Sequence, residues 1–362
     1  KDMMETQQRN TEYRHVENSN NINNQHIGQT NITVFYVHLS TQINNNMKVI
    51  DLINSSKSTA FSFEILPPLK GNSIQKVYNV IDKLIEFDPK YINITSHHSE
   101  YIYKTLPDGS FQKVNIRKRP GSVAIASAIQ NKYGITAVPH IICKGFTKDE
   151  TEYALIDLNF LGVYDLLLLR GDVKTLEAGQ KTDIYHEHAT DLQQQVNDFN
   201  KGIAIDGSVF EANETPFSYG MACYPEKHEE APNMESDIFY LKEKVKNGAD
   251  YLVTQMFFDN EKYYAFVDRC RAEGITVPII PGIKPIVFKN QLTVLPKIFR
   301  SDIPEPFATE LRKCKTDDEA KAVGVEWCIQ QCKDLIAHGV PSLHFYTMMA
   351  SDSVYKVAKE VY

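Results

Sequence analysis

The chain has 362 residues, of which 42% are hydrophobic and 23% charged, a composition typical of a globular protein with a large core. A net charge of −7 argues against a nucleic-acid partner or a polybasic membrane protein. The longest apolar run, YDLLLL, is too short to cross a bilayer, so we expect no membrane association. The six cysteines contain no C-x-x-C pair and are most simply interpreted as reduced thiols of a cytoplasmic protein.

Residues 1–46 differ in composition from the rest of the chain. They contain ten Asn and five Gln and show no sustained apolar periodicity. Such polar tracts bury too little apolar surface to offset the entropy of ordering, so the segment is predicted to be a disordered leader. Met47 begins the patterned sequence. The leader is therefore either an addition upstream of the native start or a natural disordered tail, and the sequence leaves both possibilities open.

Eight apolar runs with strand character follow the leader. They cover residues 59–66, 91–96, 135–142, 164–171, 217–224, 251–258, 277–283 and 343–348. Amphipathic helical segments such as SIQKVYNVIDKLIEF lie between them. Eight β-α units within residues 47–362 predict one parallel (β/α)8 barrel. A doubly wound sheet is the alternative, but neither the G-x-G-x-x-G nor the G-x-x-x-x-G-K-[ST] phosphate turn occurs.

Polar side chains collect where these runs end, which in a barrel is the catalytic face. They are Glu64, Thr95, His97, His98, His140, Arg170, Asp172, Tyr224, Glu226, Gln255, Lys284 and Tyr346. Glu64 stands out because it lies within the apolar run TAFSFEIL, where an unpaired carboxylate is costly or shifts its pKa upward. Perturbed carboxyls cluster at catalytic sites, although a turn cap or a lysine partner would also explain Glu64.

A metal site is one alternative for this face. His97, His98 and His140 could bind a metal ion in a barrel hydrolase, but such a site normally adds carboxylates at matching strand ends. Asp172 alone is thin support for such a site, and LLLLRGD could also be a strand followed by an ordinary Gly-Asp turn. We therefore expect no metal.

Several motifs together closely resemble the methylenetetrahydrofolate reductases, in their bacterial form with a catalytic barrel only. These are FSFEILPP, LLLLRGD, the block from Ala222 to Asp259, PIIPGIKPI and LHFYT, in matching order across residues 48–362. The resemblance implies an FAD-binding (β/α)8 barrel that reduces 5,10-methylenetetrahydrofolate to 5-methyltetrahydrofolate by ping-pong hydride transfer from NADH or NADPH. It also implies a role in one-carbon and methionine metabolism and a homo-oligomer, dimeric or tetrameric. A flavin-binding subunit without turnover is the remaining alternative.

The resemblance assigns roles to individual residues. Glu64 matches the general acid, and Asp172 matches the aspartate near flavin and folate, which would stabilise the iminium form of the substrate. Gln255 and Gln291 match folate contacts, as does Asp172. The positions that match cofactor contacts are Thr95, His140, Arg170, Gly171, Asp172, Ala189, Tyr224, His228, Ala231, Asp237 and Lys244. Ala350 departs from the family pattern, since an arginine that holds the folate tail is common there.

The role of Glu64 requires a protonated carboxyl near pH 7. An ordinary glutamate has a pKa near 4.3 and would be ionised. We expect burial among Phe61, Phe63 and Leu66 to raise its pKa, and a more polar setting to keep Asp172 ionised.

Overall fold

A computed structural model of the chain describes residues 47–97, 100–171, 184–348 and 351–362. The predicted disordered leader lies outside these residues. So do His98, Asp172 and Ala350, and their predicted roles stay predictions. Within the described ranges, no helix is long and apolar enough to cross a membrane.

The described elements alternate between strand and helix for most of the chain. The strands are β1 (Ala60–Ile65), β2 (Tyr91–Ile94), β3 (Glu100–Thr105), β4 (Phe111–Ile116), β5 (Thr136–Ile142), β6 (Asp165–Leu169), β7 (Ser218–Cys223), β8 (Tyr251–Thr254), β9 (Ile279–Ile280), β10 (Gly282–Ile283) and β11 (Ser342–Tyr346). The helices are α1 (Val49–Ser55), α2 (Gln75–Leu84), α3 (Ser122–Tyr133), α4 (Lys148–Phe160), α5 (Ala189–Asn200), α6 (Met234–Lys246), α7 (Asn260–Ala272), α8 (Gln291–Phe299), α9 (Glu305–Lys313), α10 (Asp317–Ala337) and α11 (Ser351–Val361).

Nine of these strands form one parallel sheet in the order β10-β11-β1-β2-β5-β6-β7-β8-β9. The two ends of this order, β9 and β10, are halves of one chain segment separated by Pro281. Proline has no N–H to donate, which explains the break between the two halves. Because β9 pairs with β8 and β10 pairs with β11, the sheet closes on itself with eight strand positions. The predicted (β/α)8 barrel is confirmed.

The strands bury one set of side chains outside the barrel and another set inside. On β1, Phe61, Phe63 and Ile65 pack in the core beneath the surrounding helices. Since neighbouring side chains of a strand point to opposite faces, Ser62 and Glu64 point into the barrel. All six residues of β1 are buried, so the sequence shows an unbroken apolar run except at these two inward positions.

Helix α1 closes the N-terminal end of the barrel. Val49 and Ile53 pack against inward side chains of the strands, including Tyr91 and Tyr251. The Val49 backbone N–H donates to Asp165 Oδ1 at 2.9 Å. This hydrogen bond fixes the first turn of α1 to the start of β6.

A two-stranded antiparallel hairpin, β3–β4, follows β2 and was not among the predicted strands. Its turn is closed by a hydrogen bond from the Leu106 N–H to the Ser110 carbonyl at 2.8 Å. The described side chains of this hairpin are largely exposed, so it lacks the apolar run that marks the barrel strands. The turn residues Asp108 and Gly109 were the available sequence signal.

Candidate active site

Glu64 lies at the C-terminal end of β1 and faces the inside of the barrel, as predicted, with 8% of its surface exposed. Its neighbours differ from the prediction. Phe61 and Phe63 lie on the opposite face of the strand and cannot surround the carboxyl. Polar groups are among those that face Glu64, since its Oε2 lies 3.9 Å from His140 Nε2. Tyr346, its partner on β11, also interacts electrostatically with Glu64.

His140 on β5 is neutral. It is 3% exposed, and burial lowers its pKa to about 3. The Asn93 amide lies 3.2 Å from His140 Nε2. If its Nδ2 donates, Nε2 is the acceptor and the ring proton resides on Nδ1. The short distance between His140 and Glu64 is therefore a contact between a neutral ring and a carboxyl group, and no ion pair forms there.

Thr95 and Gln255 directly follow strands β2 and β8 at the mouth of the barrel. The Thr95 hydroxyl lies 3.3 Å from His97 Nε2. The backbone N–H of Thr95 donates to the Ile65 carbonyl at 3.0 Å. The Gln255 amide oxygen accepts the Met256 N–H at 2.9 Å. That bond holds the side chain in a fixed orientation.

Gln291 starts α8 and organises the loop before it. Its amide oxygen accepts the N–H groups of Val287 at 2.7 Å and Phe288 at 3.1 Å. The structure thus gives Gln291 a loop-shaping contact, while its predicted contact with folate stays a prediction.

Arg170 and Gly171 follow β6. Arg170 forms an ion pair with Glu230, and its Nε donates to the Glu187 carbonyl at 3.3 Å. Gly171 has a φ of +82°, a backbone conformation that favours glycine. The Lys144 backbone N–H donates to the Arg170 carbonyl at 3.1 Å, and burial, followed by the charge of Arg170, lowers the pKa of Lys144.

The loop after β7 folds back onto the start of α6. The Tyr224 ring contacts His228 edge-on, with 4.7 Å between ring centroids. The His228 N–H donates to Asp237 Oδ2 at 2.8 Å. Ala231 closes the same loop, because its N–H donates to the His228 carbonyl at 3.1 Å. Four of the predicted cofactor positions thus form one connected group.

Two further predicted positions lie on helices α6 and α5. Lys244 on α6 donates from Nζ to the Ala222 carbonyl at 3.0 Å, and burial lowers its pKa while Asp237 opposes the change. Ala189 is the first residue of α5. The turn before it is fixed by a hydrogen bond from the His188 N–H to Asp191 Oδ2 at 2.9 Å.

Comparisons with known proteins identify the family of the chain. The sequence profile described as methylenetetrahydrofolate reductase matches residues 48–362, which is most of the chain. The chain belongs to the methylenetetrahydrofolate reductase family.

Individual relatives of this reductase family match over much of the chain. The 5,10-methylenetetrahydrofolate reductase of Escherichia coli is 30% identical over 297 residues, covering 82% of this chain and 88% of that protein. The probable methylenetetrahydrofolate reductase (NADPH) of Caenorhabditis elegans is 30% identical over 315 residues, covering 86% of this chain and 43% of that protein. The chain thus spans less than half the length of the nematode relative.

A solved structure also aligns with the chain. It is an uncharacterized protein from Clostridium thermocellum that binds two copies of 5-methyl-5,6,7,8-tetrahydrofolic acid. The TM-score is 0.48 at 14% identity, covering 85% of this chain and 97% of that one.

The mouth of this reductase-family barrel contains residues that fit a dinucleotide cofactor. Arg170 and Lys144 supply positive charge suited to a diphosphate, and Gly171 adds a turn without a side chain. Glu230 pairs with Arg170 and would compete with a phosphate for it. The residues that could hold FAD are therefore present, with one acidic competitor.

The described histidines do not assemble into a metal site. Among residues 47–97, 100–171, 184–348 and 351–362, no group of three or more His, Cys, Asp or Glu side chains is placed to hold a metal ion. His97 lies near Thr95 and is exposed, whereas His140 is buried beside Asn93.

Two polar residues inside the barrel were missed by the sequence interpretation. Asn93 orients His140. The His344 ring and the Ser62 hydroxyl form a hydrogen bond of 3.0 Å. Asn93 and His344 both stand at inward positions of strands, two residues or fewer from a strand end. Their signal was a polar residue within an apolar run, the same signal that singled out Glu64.

Proposed function

We propose that this chain reduces 5,10-methylenetetrahydrofolate to 5-methyltetrahydrofolate, with FAD as cofactor and NADH or NADPH as hydride donor. Family membership supports the reaction, and the names of relatives specify NADPH in Caenorhabditis elegans and NADH in Arabidopsis thaliana. A role in one-carbon and methionine metabolism and a homo-oligomeric state are proposed from the same family resemblance.

The placement of Glu64 carries the proposal. The five-membered ring of the substrate must open before its carbon can accept hydride, and opening requires a proton on N10. Glu64 is a buried carboxyl at the catalytic end of the barrel, and burial favours the protonated form of a carboxyl. The neutral His140 ring beside it adds no positive charge that would favour ionisation. Glu64 is therefore the proposed general acid.

Other residues would hold and orient the reactants. FAD supplies the hydride chemistry when bound. Arg170 and Lys144 would bind its diphosphate, and Gln255 would present its amide to the folate ring. Asp172 is proposed to stabilise the positive charge of the opened substrate.

The test is Glu64→Gln, which keeps the shape of the side chain and removes the proton. We expect the purified Glu64→Gln variant to show flavin absorbance. NADH or NADPH should bleach this absorbance at the normal rate, because reduction of the flavin needs no acid. Reoxidation by methylenetetrahydrofolate should slow by at least ~10²-fold, the usual effect of losing a general acid. Glu360→Gln, an exposed change on α11, is the matched control.

Two results would contradict the proposal. A colourless protein that is active without flavin would exclude the reductase reaction. Equal losses in both half-reactions together with a lower melting temperature would show that Glu64 is structural, because a buried partner would then be left uncompensated.

A further inference from the structure

A lysine lies close to the proposed acid. Lys284 directly follows β10 and has only 5% of its surface exposed. The strand register pairs Ile283 with Phe345 and Glu64 with Tyr346. Lys284, Tyr346 and Glu64 therefore stand at one level of the barrel, on three neighbouring strand positions.

The side chains of these three residues share the inner face. Ile283 and Phe345 belong to the core outside the barrel, so the residues that follow them, Lys284 and Tyr346, point inward. Glu64 points inward for the same reason. The ammonium of Lys284 and the carboxyl of Glu64 are thus directed into the same space from either side of Tyr346.

Glu64 is an acid whose charge acts on Lys284. The Tyr346 hydroxyl does not bridge the two charges, since it donates to the Thr254 carbonyl at 2.6 Å. Burial lowers the pKa of Lys284, and the charge of Glu64 opposes that change. A buried ammonium is costly, which indicates a functional reason for Lys284 at this position.

Three of the described groups that face Glu64 carry no positive charge. His140 on β5 is neutral, Tyr346 on β11 is a phenol, and Asn93, the partner of Glu64 on β2, is an amide. Burial raises the pKa of Tyr346 well above its ordinary value, so it stays protonated. Lys284, by contrast, is a cation that interacts electrostatically with the Glu64 carboxyl.

We propose that Lys284 is a positioning residue that sets how readily Glu64 gives up its proton, and thereby sets the pH range of folate reduction. This proposal rests on the function proposed above. As the bond between the methylene carbon and N10 breaks, its electron pair stays on N10 and the proton moves there from Glu64. The carboxylate left behind is stabilised by the Lys284 ammonium until it regains a proton from solvent. The same ammonium lowers the pH above which the resting acid is lost.

The experiment compares Lys284→Met, which removes the charge at similar length, with Lys284→Arg, which keeps it. Lys297→Met is the matched control, because Lys297 is an exposed lysine on the following helix, α8. Lys284→Gln is a second neutral variant in case the methionine variant does not fold. Difference infrared spectra against Glu64→Gln follow the protonated carboxyl of Glu64 across the pH range. The rate of folate reduction is then measured over the same range.

We expect the midpoint of the Glu64 titration to rise by about one pH unit in the neutral variants, because removal of an opposite charge raises the pKa of a carboxyl. The alkaline limb of folate reduction should move by the same amount, about tenfold in rate per pH unit on that limb. Lys284→Arg and Lys297→Met should match the wild type.

Failure of the role proposed for Lys284 and failure of the proposed function would give different results. An unchanged Glu64 titration in both neutral variants would overturn the role of Lys284, whatever the activity. Absence of folate turnover in every protein, the wild type included, would instead contradict the proposed function, because the infrared titration requires no turnover.

Discussion

The hydrogen bond between helix α1 and Asp165 predicts an unusual pH dependence of stability. Asp165 is 5% exposed, and burial raises its pKa from 3.8 to about 7, although the Val49 N–H and Lys48 oppose the rise. For an acid whose pKa is higher in the folded state, stability is greatest at low pH. It falls as the pH rises from about 4 to about 7, because the unfolded chain loses the proton first.

The size of the change in stability follows from the shift in the pKa of Asp165. At about 1.4 kcal/mol per pKa unit, the rise from 3.8 to about 7 corresponds to about 4 kcal/mol of stability lost above pH 7. About 3 kcal/mol of this loss develops between pH 5 and pH 8. Asp165→Asn imitates the protonated form, since its amide oxygen can still accept the Val49 N–H.

The assay is denaturant unfolding of wild type and Asp165→Asn from pH 5 to pH 8. The difference in unfolding free energy should change by about 3 kcal/mol in favour of the variant as the pH rises. Asp268→Asn, an exposed change on α7, is the control and should give parallel curves. Parallel curves for Asp165→Asn as well would refute the reasoning, because they would mean that Asp165 titrates alike in both states.

Two other predictions concern packing. Gly324 lies within α10, where alanine normally stabilises a helix by about 1 kcal/mol, but here an added Cβ would overlap the Ile286 carbonyl oxygen. We expect Gly324→Ala to lower the free energy of unfolding by about 1–3 kcal/mol. A raised melting temperature would contradict the close packing of α10 on the segment that contains Ile286. All six cysteines are buried and free, and burial raises the pKa of Cys143 and Cys270 to about 12. Since the thiolate is the reactive form, Ellman's reagent should titrate none of them in the native protein and six after unfolding, and rapid native reaction would disprove this.

The sequence by itself determined the strands of the barrel and the composition of its mouth. Each barrel strand is buried on both faces, so it appears as an apolar run whose end is marked by polar residues. Because parallel strands end at one rim, the sequence predicted that the polar residues listed from Glu64 to Tyr346 lie near one another, and the structure brings Glu64, His140 and Tyr346 of that list together. The family motifs lie on the same strands and loops for the same reason.

Tertiary structure decided what surrounds each of these residues. The sequence placed Glu64 among its chain neighbours Phe61 and Phe63, but strand alternation sends those rings to the opposite face. The groups that do face the carboxyl, His140 and Lys284, come from distant parts of the chain. Only the register between strands and the closure of the sheet at Pro281 bring them to one level of the barrel, and no local pattern encodes that register.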